Sequence, residues 1–232
     1  MTIMIREFYR LRELSLLDKS NDWNREASMY KHIIWDFDGT LFDTYEVMGR
    51  ALQLTFRKIG IDEPLEDIIR LMKKSISEAL NYYADQYHID AEFIKDYETT
   101  RRELELEECK PYSGAIELLK YIKETGRYNY LFTHRGISSI TFLQKHQIYD
   151  YFTDCITSQH SFERKPSPAA ILHLVEKYQI KQQDAIMIGD RDLDILSAKN
   201  AGIRACFFDE AGAEYGAADY NIKNITQLYE IL

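Results

Sequence analysis

The sequence predicts an α/β fold with a mostly parallel sheet, and three observations support this prediction. Five short apolar runs have the length and composition of buried strands, at residues 32–36, 128–133, 153–157, 185–189 and 204–208. Segments with helical spacing separate the last four runs, as expected for repeated βαβ units. Polar side chains directly follow the first, second and fourth runs, and open parallel sheets bind ligands beyond the carboxyl ends of their strands.

Four helices are expected between these strands, at residues 115–123, 137–146, 168–178 and 193–200. Gly126 and Gly202 follow the first and the last of them as stop signals, because glycine readily adopts the left-handed conformation that ends a helix. Ser167 before Pro168 has the pattern of an N-cap followed by a first-turn proline. The helices and strands thus alternate as an α/β core requires.

Residues 45–110 have a different pattern, which predicts a helical insertion. They contain no convincing strand, and helical spacing covers residues 46–59, 65–83 and 91–108. The last of these runs is strongly charged, which is typical of a solvated helix face. We expect this segment to lie over the strand ends as a mobile cap. The core would then comprise residues 31–44 and 111–232, and residues 1–30 would be an N-terminal extension to which we assign no role.

Composition and charge exclude several classes of function. The formal net charge of −9 argues against a nucleic-acid interface, because phosphate backbones attract clustered lysine and arginine. No apolar run approaches the ~18–20 residues needed to span a bilayer, and the amino terminus lacks the long apolar segment of a secretory signal. The three cysteines are far apart and form no CxxC pair, which is typical of reduced thiols and gives no zinc signature. We therefore expect a cytoplasmic monomer or homodimer that contacts neither membranes nor nucleic acids.

The clearest chemical signal is the sequence DFDGTL at residues 36–41, directly after the first predicted strand. Asp36 and Asp38 are two residues apart and point to one face, whereas Phe37 points into a core. Two adjacent carboxylates repel each other, so this arrangement is costly unless a cation, a shared proton or the reaction itself compensates for the repulsion. Gly39 allows a sharp turn or the close approach of a ligand. A strand-end aspartate such as Asp36 is a candidate nucleophile on phosphorus, with Asp38 as the general acid and base. The alternative is a plain turn, which explains Asp36 poorly.

A second group of carboxylates follows the fourth predicted strand in the sequence GDRDLD, residues 189–194. Asp190 leaves the strand and Asp194 lies one helical turn further on, whereas Asp192 is expected to face solvent. Oxygen-rich sites of this kind favour Mg²⁺. An acidic helix start stabilised by the helix dipole is the alternative, and it accounts for one acid better than for three.

Three further side chains could contact a phosphoryl group. Lys165 lies in RKPSP just before a predicted helix, where an ammonium group could neutralise the nucleophile and a bound phosphate, although most lysines are simply solvated. Thr133 ends the second predicted strand and could donate its hydroxyl group. His134 and Arg135 follow it and are candidates to line the pocket.

Taken in order, these motifs resemble those of the haloacid dehalogenase-like superfamily over nearly all of residues 31–232. The four motifs are DFDGTL, the threonine of LFTHR, the lysine of RKPSP, and GDRDLD. The insertion is similar to the α-helical cap of the group that includes phosphoglycolate phosphatases and β-phosphoglucomutases. The resemblance implies a Rossmann-like three-layer core and a phosphatase that uses Mg²⁺ and an aspartyl-phosphate intermediate.

The resemblance also implies a role for each motif residue. Asp36 would be nucleophile and metal ligand, and Asp38 would be acid and base and a metal ligand through its backbone carbonyl. Asp190 would bind Mg²⁺ and Asp194 would support the metal site. The phosphoryl group would be held by Thr133 and Lys165, with Gly39 and His134 as further substrate contacts. His134 stands where many relatives have asparagine, so the side-chain role of that asparagine does not transfer directly.

Two details favour a phosphatase within this superfamily. Dehalogenases and phosphonate-cleaving relatives lack the second aspartate of the first motif, which here is Asp38. Mutases usually carry Glu-Asp where this chain has Gly189-Asp190. A phosphomutase and a non-catalytic module that binds phosphorylated metabolites are the alternatives.

The choice of substrate is expected to lie in the cap. Four cap cations could meet an anionic substrate: Arg50, Lys73, Lys74 and Arg102. Phosphoglycolate, a sugar phosphate, a nucleoside monophosphate and pyrophosphate are all compatible with the sequence.

Overall fold

The computed structural model describes residues 30–232, and its centre is a six-stranded, entirely parallel sheet. The strands are β1 (His32–Trp35), β2 (Tyr128–Phe132), β3 (Phe152–Ile156), β4 (Ala185–Gly189), β5 (Arg204–Phe208) and β6 (Tyr220–Ile222). Their order across the sheet is β3-β2-β1-β4-β5-β6. The chain therefore proceeds outward in opposite directions on the two sides of β1, which creates a crevice at the carboxyl end of this central strand. The α/β fold predicted from the sequence is confirmed.

The five predicted strands are present within a residue or two of their expected bounds, and β6 is an addition. This strand has three residues, of which Ile222 alone is fully buried. It exists through its pairing with β5, where Cys206 lies opposite Tyr220 and Phe208 opposite Ile222. A run of three residues is too short to show an alternating pattern in the sequence. Its hydrogen bonds to β5 define it as a strand instead.

Helices cover both faces of the sheet. The helices of the core are α5 (Ala115–Glu124), α6 (Ser138–Lys145), α7 (Ala169–Lys177), α8 (Asp192–Asn200) and α9 (Leu228–Ile231), and those inserted before them are α1 (Tyr45–Lys58), α2 (Leu65–Lys74), α3 (Ile76–Tyr87) and α4 (Ala91–Glu108). Side chains of β1 alternate between the faces, so Ile33 and Trp35 join one apolar cluster and Ile34 the other. The first cluster includes α5 and α6, and the second includes α7 and α8. This gives the predicted three layers.

Phe37 follows β1 and points into the first of these clusters, as the sequence predicts. It is fully buried, and its ring stacks on that of Phe42 with 4.6 Å between the centroids. Nearby, the buried indole N–H of Trp35 has a hydrogen-bond partner, because it donates to the Asn129 side chain at 3.0 Å. Packing of Phe37 in the core therefore fixes the backbone of the first motif and, with it, the positions of its two aspartates.

Helices α1–α4 pack around an apolar cluster of their own. Its largest fully buried members include Phe56, Tyr83 and Tyr97. The two connections to the core run side by side, since Phe42 forms an antiparallel bridge with Pro111 and the amide of Asp43 donates to the Lys110 carbonyl at 3.2 Å. The insertion thus leaves and re-enters the core at one place, next to the end of β1.

The prediction of one continuous helix over residues 65–83 is wrong, because the helix is interrupted at Ser75. Helix α2 ends at Lys74 and α3 begins at Ile76. Ser75 has an extended backbone, and its hydroxyl accepts a hydrogen bond from the amide of Glu78 at 3.3 Å. Serine followed three residues later by glutamate is a known N-terminal signature, so the sequence did contain the signal for this break.

Within residues 30–232, no helix combines the length and the apolar character that crossing a membrane would require.

Candidate active site

The motif residues converge at the crevice beside the end of β1. Asp36 directly follows β1, Thr133 follows β2, and Asp190 follows β4. Lys165 enters from the loop between β3 and α7, and Asp194 from the first turn of α8. Oxygen atoms of Asp36, Asp190 and Asp194 all lie within 4.8 Å of one another. The sheet therefore brings together three carboxylates that are up to 158 residues apart in the sequence.

Lys165 lies between two of these carboxylates and is completely buried. Its Nζ donates to Asp36 Oδ1 at 2.7 Å and to Asp194 Oδ1 at 2.6 Å. Burial by itself lowers the pKa of Lys165, but the Asp194 and Asp36 carboxylates outweigh it and raise this pKa above its ordinary value. The ammonium group is therefore charged at neutral pH and aligned on one oxygen of Asp36.

The other oxygen of Asp36 differs from the first in its surroundings. Asp36 Oδ2 is buried and has no hydrogen-bond partner among the residues that the structure describes. Burial, followed by the nearby Asp194 carboxylate, raises the pKa of Asp36 to about 6, and the attraction of Lys165 opposes this shift. A buried oxygen without a partner is costly, so it marks a place where a cation or a reacting group belongs.

Asp190 shows the same excess of negative charge. Thr40 Oγ1 donates to Asp190 Oδ1 at 3.2 Å. Burial, together with the carboxylates of Asp194 and Asp36, raises the pKa of Asp190 well above its usual range. The carboxylate oxygens of Asp36 and Asp190 are hard ligands of the type that Mg²⁺ prefers, and a divalent cation would relieve their repulsion. The donor set therefore fits a magnesium ion.

Asp194 is held from two sides. Its Oδ1 accepts from Lys165, and its Oδ2 accepts from the backbone amide of Arg191 at 3.1 Å. With both oxygens engaged, Asp194 is better placed to orient Lys165 than to offer an unencumbered ligand atom. Gly189 makes room for it, because a Cβ at position 189 would overlap the Asp194 side chain and lie 2.6 Å from its Oδ2. The glycine before Asp190 is thus a packing requirement of Asp194.

Gly39 lies close to both Asp190 and Tyr45. Its φ is +75°, and a Cβ there would overlap the ring of Tyr45 and lie 2.5 Å from Asp190 Oδ2. The amide of Gly39 donates to the Phe42 carbonyl at 2.9 Å, which closes the turn after the first motif. Gly39 therefore lets the backbone pass close to Asp190. Sequence reasoning did not identify Tyr45, which is buried at the start of α1.

Asp38 is held by a residue of the second motif. Arg135 donates through Nε to Asp38 Oδ1 at 3.0 Å and Oδ2 at 3.2 Å, and through Nη2 to Oδ1 at 2.8 Å. Burial alone would raise the pKa of Asp38, but the guanidinium of Arg135 outweighs it and lowers this pKa. Arg135, named only as a candidate pocket residue, is therefore the direct partner of the proposed acid and base.

Glu105 also binds Arg135, and it is the exception to the prediction that the charged run of α4 is mainly a solvated face. Arg135 Nη1 donates to Glu105 Oε2 at 2.8 Å and Nη2 donates to Oε1 at 2.7 Å. Glu105 is 3% exposed. It lies eight and twelve positions after the buried Tyr97 and Phe93. That spacing places it on the buried face of α4, which is the signal that could have identified it.

His134 and Thr133 organise the neighbouring loops. His134 Nε2 accepts a hydrogen bond from the backbone amide of Lys165 at 2.9 Å. Burial, followed by the positive charges of Lys165 and Arg164, lowers the pKa of His134 to about 3, so the ring is neutral and can accept. Thr133 Oγ1 accepts from the amide of Arg135 at 3.0 Å. Both side chains thus hold backbone that carries other site residues.

The four cap cations differ in their surroundings. Arg50 pairs with Glu108 inside the inserted helices. Lys73 forms an ion pair with Asp209, just after β5, at 3.6 Å. Lys74 and Arg102 are exposed. Of these four, Lys73 is the one for which the structure records a contact with the sheet side of the crevice.

Comparison with known proteins places this site in a family. The family model for haloacid dehalogenase-like hydrolases matches residues 33–208. The chain is 31% identical over 187 residues to a phosphoglycolate phosphatase from Vibrio vulnificus, covering 74% of this chain and 80% of that protein. It is 29% identical over 198 residues to a 5'-nucleotidase from Pseudomonas aeruginosa, covering 83% and 86%.

Solved structures agree with this assignment. The crystal structure of a hydrolase from Streptococcus pneumoniae TIGR4 superposes with a TM-score of 0.66 at 30% sequence identity, over 87% of this chain and 97% of that one. The match to the family model spans all four motifs and reaches the end of β5. The chain belongs to the haloacid dehalogenase-like hydrolase family.

Proposed function

We propose that this protein is a Mg²⁺-dependent phosphatase that hydrolyses a small phosphorylated metabolite through an aspartyl-phosphate. The observation that carries the proposal is the state of Asp36. One of its oxygens is held by the buried ammonium of Lys165, and the other is buried without a hydrogen-bond partner among residues 30–232. An aspartate in this state is oriented and available for bond formation with phosphorus.

The chemistry assigned to the two aspartates balances in two steps. Starting from the substrate complex with Asp38 protonated, Asp36 attacks phosphorus, the bond from phosphorus to the leaving oxygen breaks, and Asp38 transfers its proton to that oxygen. Water then attacks the aspartyl-phosphate and gives a proton to Asp38, and the bond between Asp36 and phosphorus breaks, which releases phosphate. The enzyme returns to its starting protonation state.

Lys165 supplies a fixed positive charge beside the transferring group. Its Nζ is already ordered by Asp36 and Asp194, so no reorganisation is needed when negative charge develops on the phosphoryl oxygens. Thr133 and the backbone after it are proposed to hold a phosphoryl oxygen. His134 contributes by fixing the amide of Lys165.

The metal would be held by Asp36, Asp190 and the backbone carbonyl of Asp38. When bound, Mg²⁺ would neutralise phosphoryl oxygens and lower the repulsion between the phosphate and the carboxylates. Asp194 is proposed to support this arrangement by holding Lys165.

The inserted helices, residues 45–110, are proposed to act as a cap that excludes water and selects the substrate. They meet the core through two adjacent connections, which is a suitable place for a hinge. Relatives named phosphoglycolate phosphatase and 5'-nucleotidase share this family, so 2-phosphoglycolate and nucleoside monophosphates are the first substrates to try.

The test is phosphate release from a panel of substrates, with Mg²⁺ and with EDTA. The panel contains 2-phosphoglycolate, a nucleoside 5'-monophosphate, a hexose phosphate and pyrophosphate. We expect metal-dependent release that disappears in Asp36→Asn and persists in Asp192→Asn, a matched control in which an exposed carboxylate of the fourth motif is removed. Isomerisation of the hexose phosphate without release would instead indicate a phosphomutase. Tight binding without turnover would indicate a binding module.

A further inference from the structure

Arg135 bridges the sheet and the inserted helices through the carboxylates of Asp38 and Glu105. Its guanidinium binds Asp38 with three contacts of 2.8–3.2 Å and Glu105 with two contacts of 2.7–2.8 Å. Asp38 follows β1 in the core, whereas Glu105 lies near the end of α4 in the insertion. One side chain therefore connects the proposed acid and base to the segment proposed to move.

The bridge is shielded from solvent, which distinguishes it from surface ion pairs. The side chains of Arg135, Asp38 and Glu105 are 7%, 16% and 4% exposed. The guanidinium also lies 5.4 Å from the ring centroid of Phe37 and 5.7 Å from that of Phe142. Its planar fork matches two carboxylates at once, a geometry that a lysine ammonium cannot reproduce. Surface pairs would be screened and mobile, whereas this one fixes orientation.

Both oxygens of Asp38 are in contact with Arg135, so the plane of this carboxylate is set by the guanidinium. Arg135 is in turn oriented by Glu105, and the amide of Arg135 is tied to Thr133 Oγ1 at 3.0 Å. A shift of α4 moves Glu105 and must change how Arg135 divides its donors between the two carboxylates. The orientation of Asp38 is then linked to the position of α4.

We propose that Arg135 is a positioning residue that orients Asp38 for proton transfer and, through Glu105, links this orientation to helix α4. The proposal rests on the proposed function, in which Asp38 protonates the leaving oxygen. It assigns to Glu105, a residue remote from the motifs in sequence, a role in the chemical step.

The test compares two leaving groups, because p-nitrophenolate departs without a proton whereas an alkoxide needs one. We would measure kcat/KM, which reports the steps up to release of the alcohol and so excludes the second step. In Arg135→Lys we expect kcat/KM for the preferred alkyl phosphate to fall about 10- to 100-fold, within the range that general acid catalysis contributes. For p-nitrophenyl phosphate we expect a fall of less than about threefold, because that step needs no general acid.

Glu105→Gln is the second variant, and it leaves Arg135 itself unchanged. We expect kcat/KM to fall selectively for the alkyl phosphate, by about 3- to 10-fold. Arg135 still contacts Asp38 in this variant but is no longer oriented by the charge of Glu105. Glu108→Gln is the matched control, since Glu108 lies on the same helix and pairs with Arg50 inside the insertion. This control should leave the ratio of the two kcat/KM values unchanged.

The double variant Arg135→Lys/Glu105→Gln decides whether the two residues act as one unit. We expect its leaving-group ratio to match that of Arg135→Lys, because Glu105 acts through Arg135. Losses that multiply would show independent effects and overturn the link to α4. Equal losses on both substrates, accompanied by a lower Tm, would show a packing role and overturn the proposal. If wild-type protein releases no phosphate from either substrate, the proposed function itself fails, which is a distinguishable result.

Discussion

The imidazole of His134 accepts a hydrogen bond from the backbone amide of Lys165, with 2.9 Å between His134 Nε2 and the amide nitrogen. This contact joins the loop after β2 to the loop after β3. The ring also lies edge-on to Phe132, whose own ring is 4.5 Å from Lys165 Nζ. His134 therefore helps to fix the position of Lys165 through the backbone.

The neutrality of His134 has a measurable consequence for stability. Its pKa is lowered to about 3 in the folded protein, chiefly by burial, from an ordinary value of 6.5. Between these values the unfolded chain binds more protons than the folded one, so this residue makes the protein less stable as the pH falls.

We therefore expect His134→Asn to reduce the loss of unfolding free energy that occurs as the pH falls below 7. Urea unfolding at pH 7.5 and pH 5.5 should show a smaller loss of stability in the variant than in wild type. The exposed His173 provides a control, and His173→Asn should retain the wild-type pH dependence. An unchanged loss of stability in His134→Asn would contradict the buried, accepting ring.

The three crowded carboxylates predict that Mg²⁺ stabilises the fold. Their oxygens lie within 4.8 Å of one another, and Asp36 Oδ2 lacks a partner within the described part of the chain. At a concentration 100 times its Kd, a ligand specific for the folded state adds about 2.7 kcal/mol. We expect the Tm to rise with added Mg²⁺ in wild type and in Asp192→Asn, but not in Asp190→Asn. A rise in Asp190→Asn equal to that of wild type would place the ion elsewhere.

Asp190 should also lower the free energy of unfolding of the metal-free protein. Its pKa is raised well above the usual range by burial and by the neighbouring Asp194 and Asp36, so its charged form is disfavoured in the fold at neutral pH. Asparagine preserves an oxygen that can accept from Thr40 Oγ1 and removes the charge. We expect Asp190→Asn to raise the free energy of unfolding in EDTA, because the variant keeps the accepting oxygen and removes a charge that burial and two neighbouring carboxylates disfavour. Denaturant titration would show this, and a less stable variant would argue against the repulsion.

Gly189 is predicted to be intolerant of even one methyl group. A Cβ at this position would overlap the Asp194 side chain, which holds Lys165. We expect Gly189→Ala to cost about 1–3 kcal/mol of stability, as overpacking does, and to lower kcat because Lys165 shifts. Gly216→Ala is the control, since a Cβ at position 216 meets no atom of the described residues within 4 Å. Thermal unfolding and phosphate release measure the two effects, and wild-type values in Gly189→Ala would refute the packing argument.

Local patterns in the sequence were sufficient for much of this molecule. Apolar runs, glycine stops and the Ser-Pro start gave the five main strands and the helices between them, because burial and backbone geometry impose these patterns within a few residues. The motif residues could be named for the same reason. Parallel strands all end at one edge of the sheet, so polar residues that directly follow them must meet there.

Contacts between distant segments were decided by the tertiary structure. The partners of Arg135 lie 97 and 30 residues away, and the acceptor that fixes Lys165 is 31 residues from it. The spacing of Glu105 places it on the buried face of α4 but does not identify Arg135 as its partner, because a buried ion pair depends on the packing of α4 against the loop after β2. Likewise, β6 exists because β5 offers it an edge. Local sequence determined which chemistry is available, and long-range packing determined which of the site's charges are paired, since partners far apart in the sequence meet only when the segments that carry them pack together.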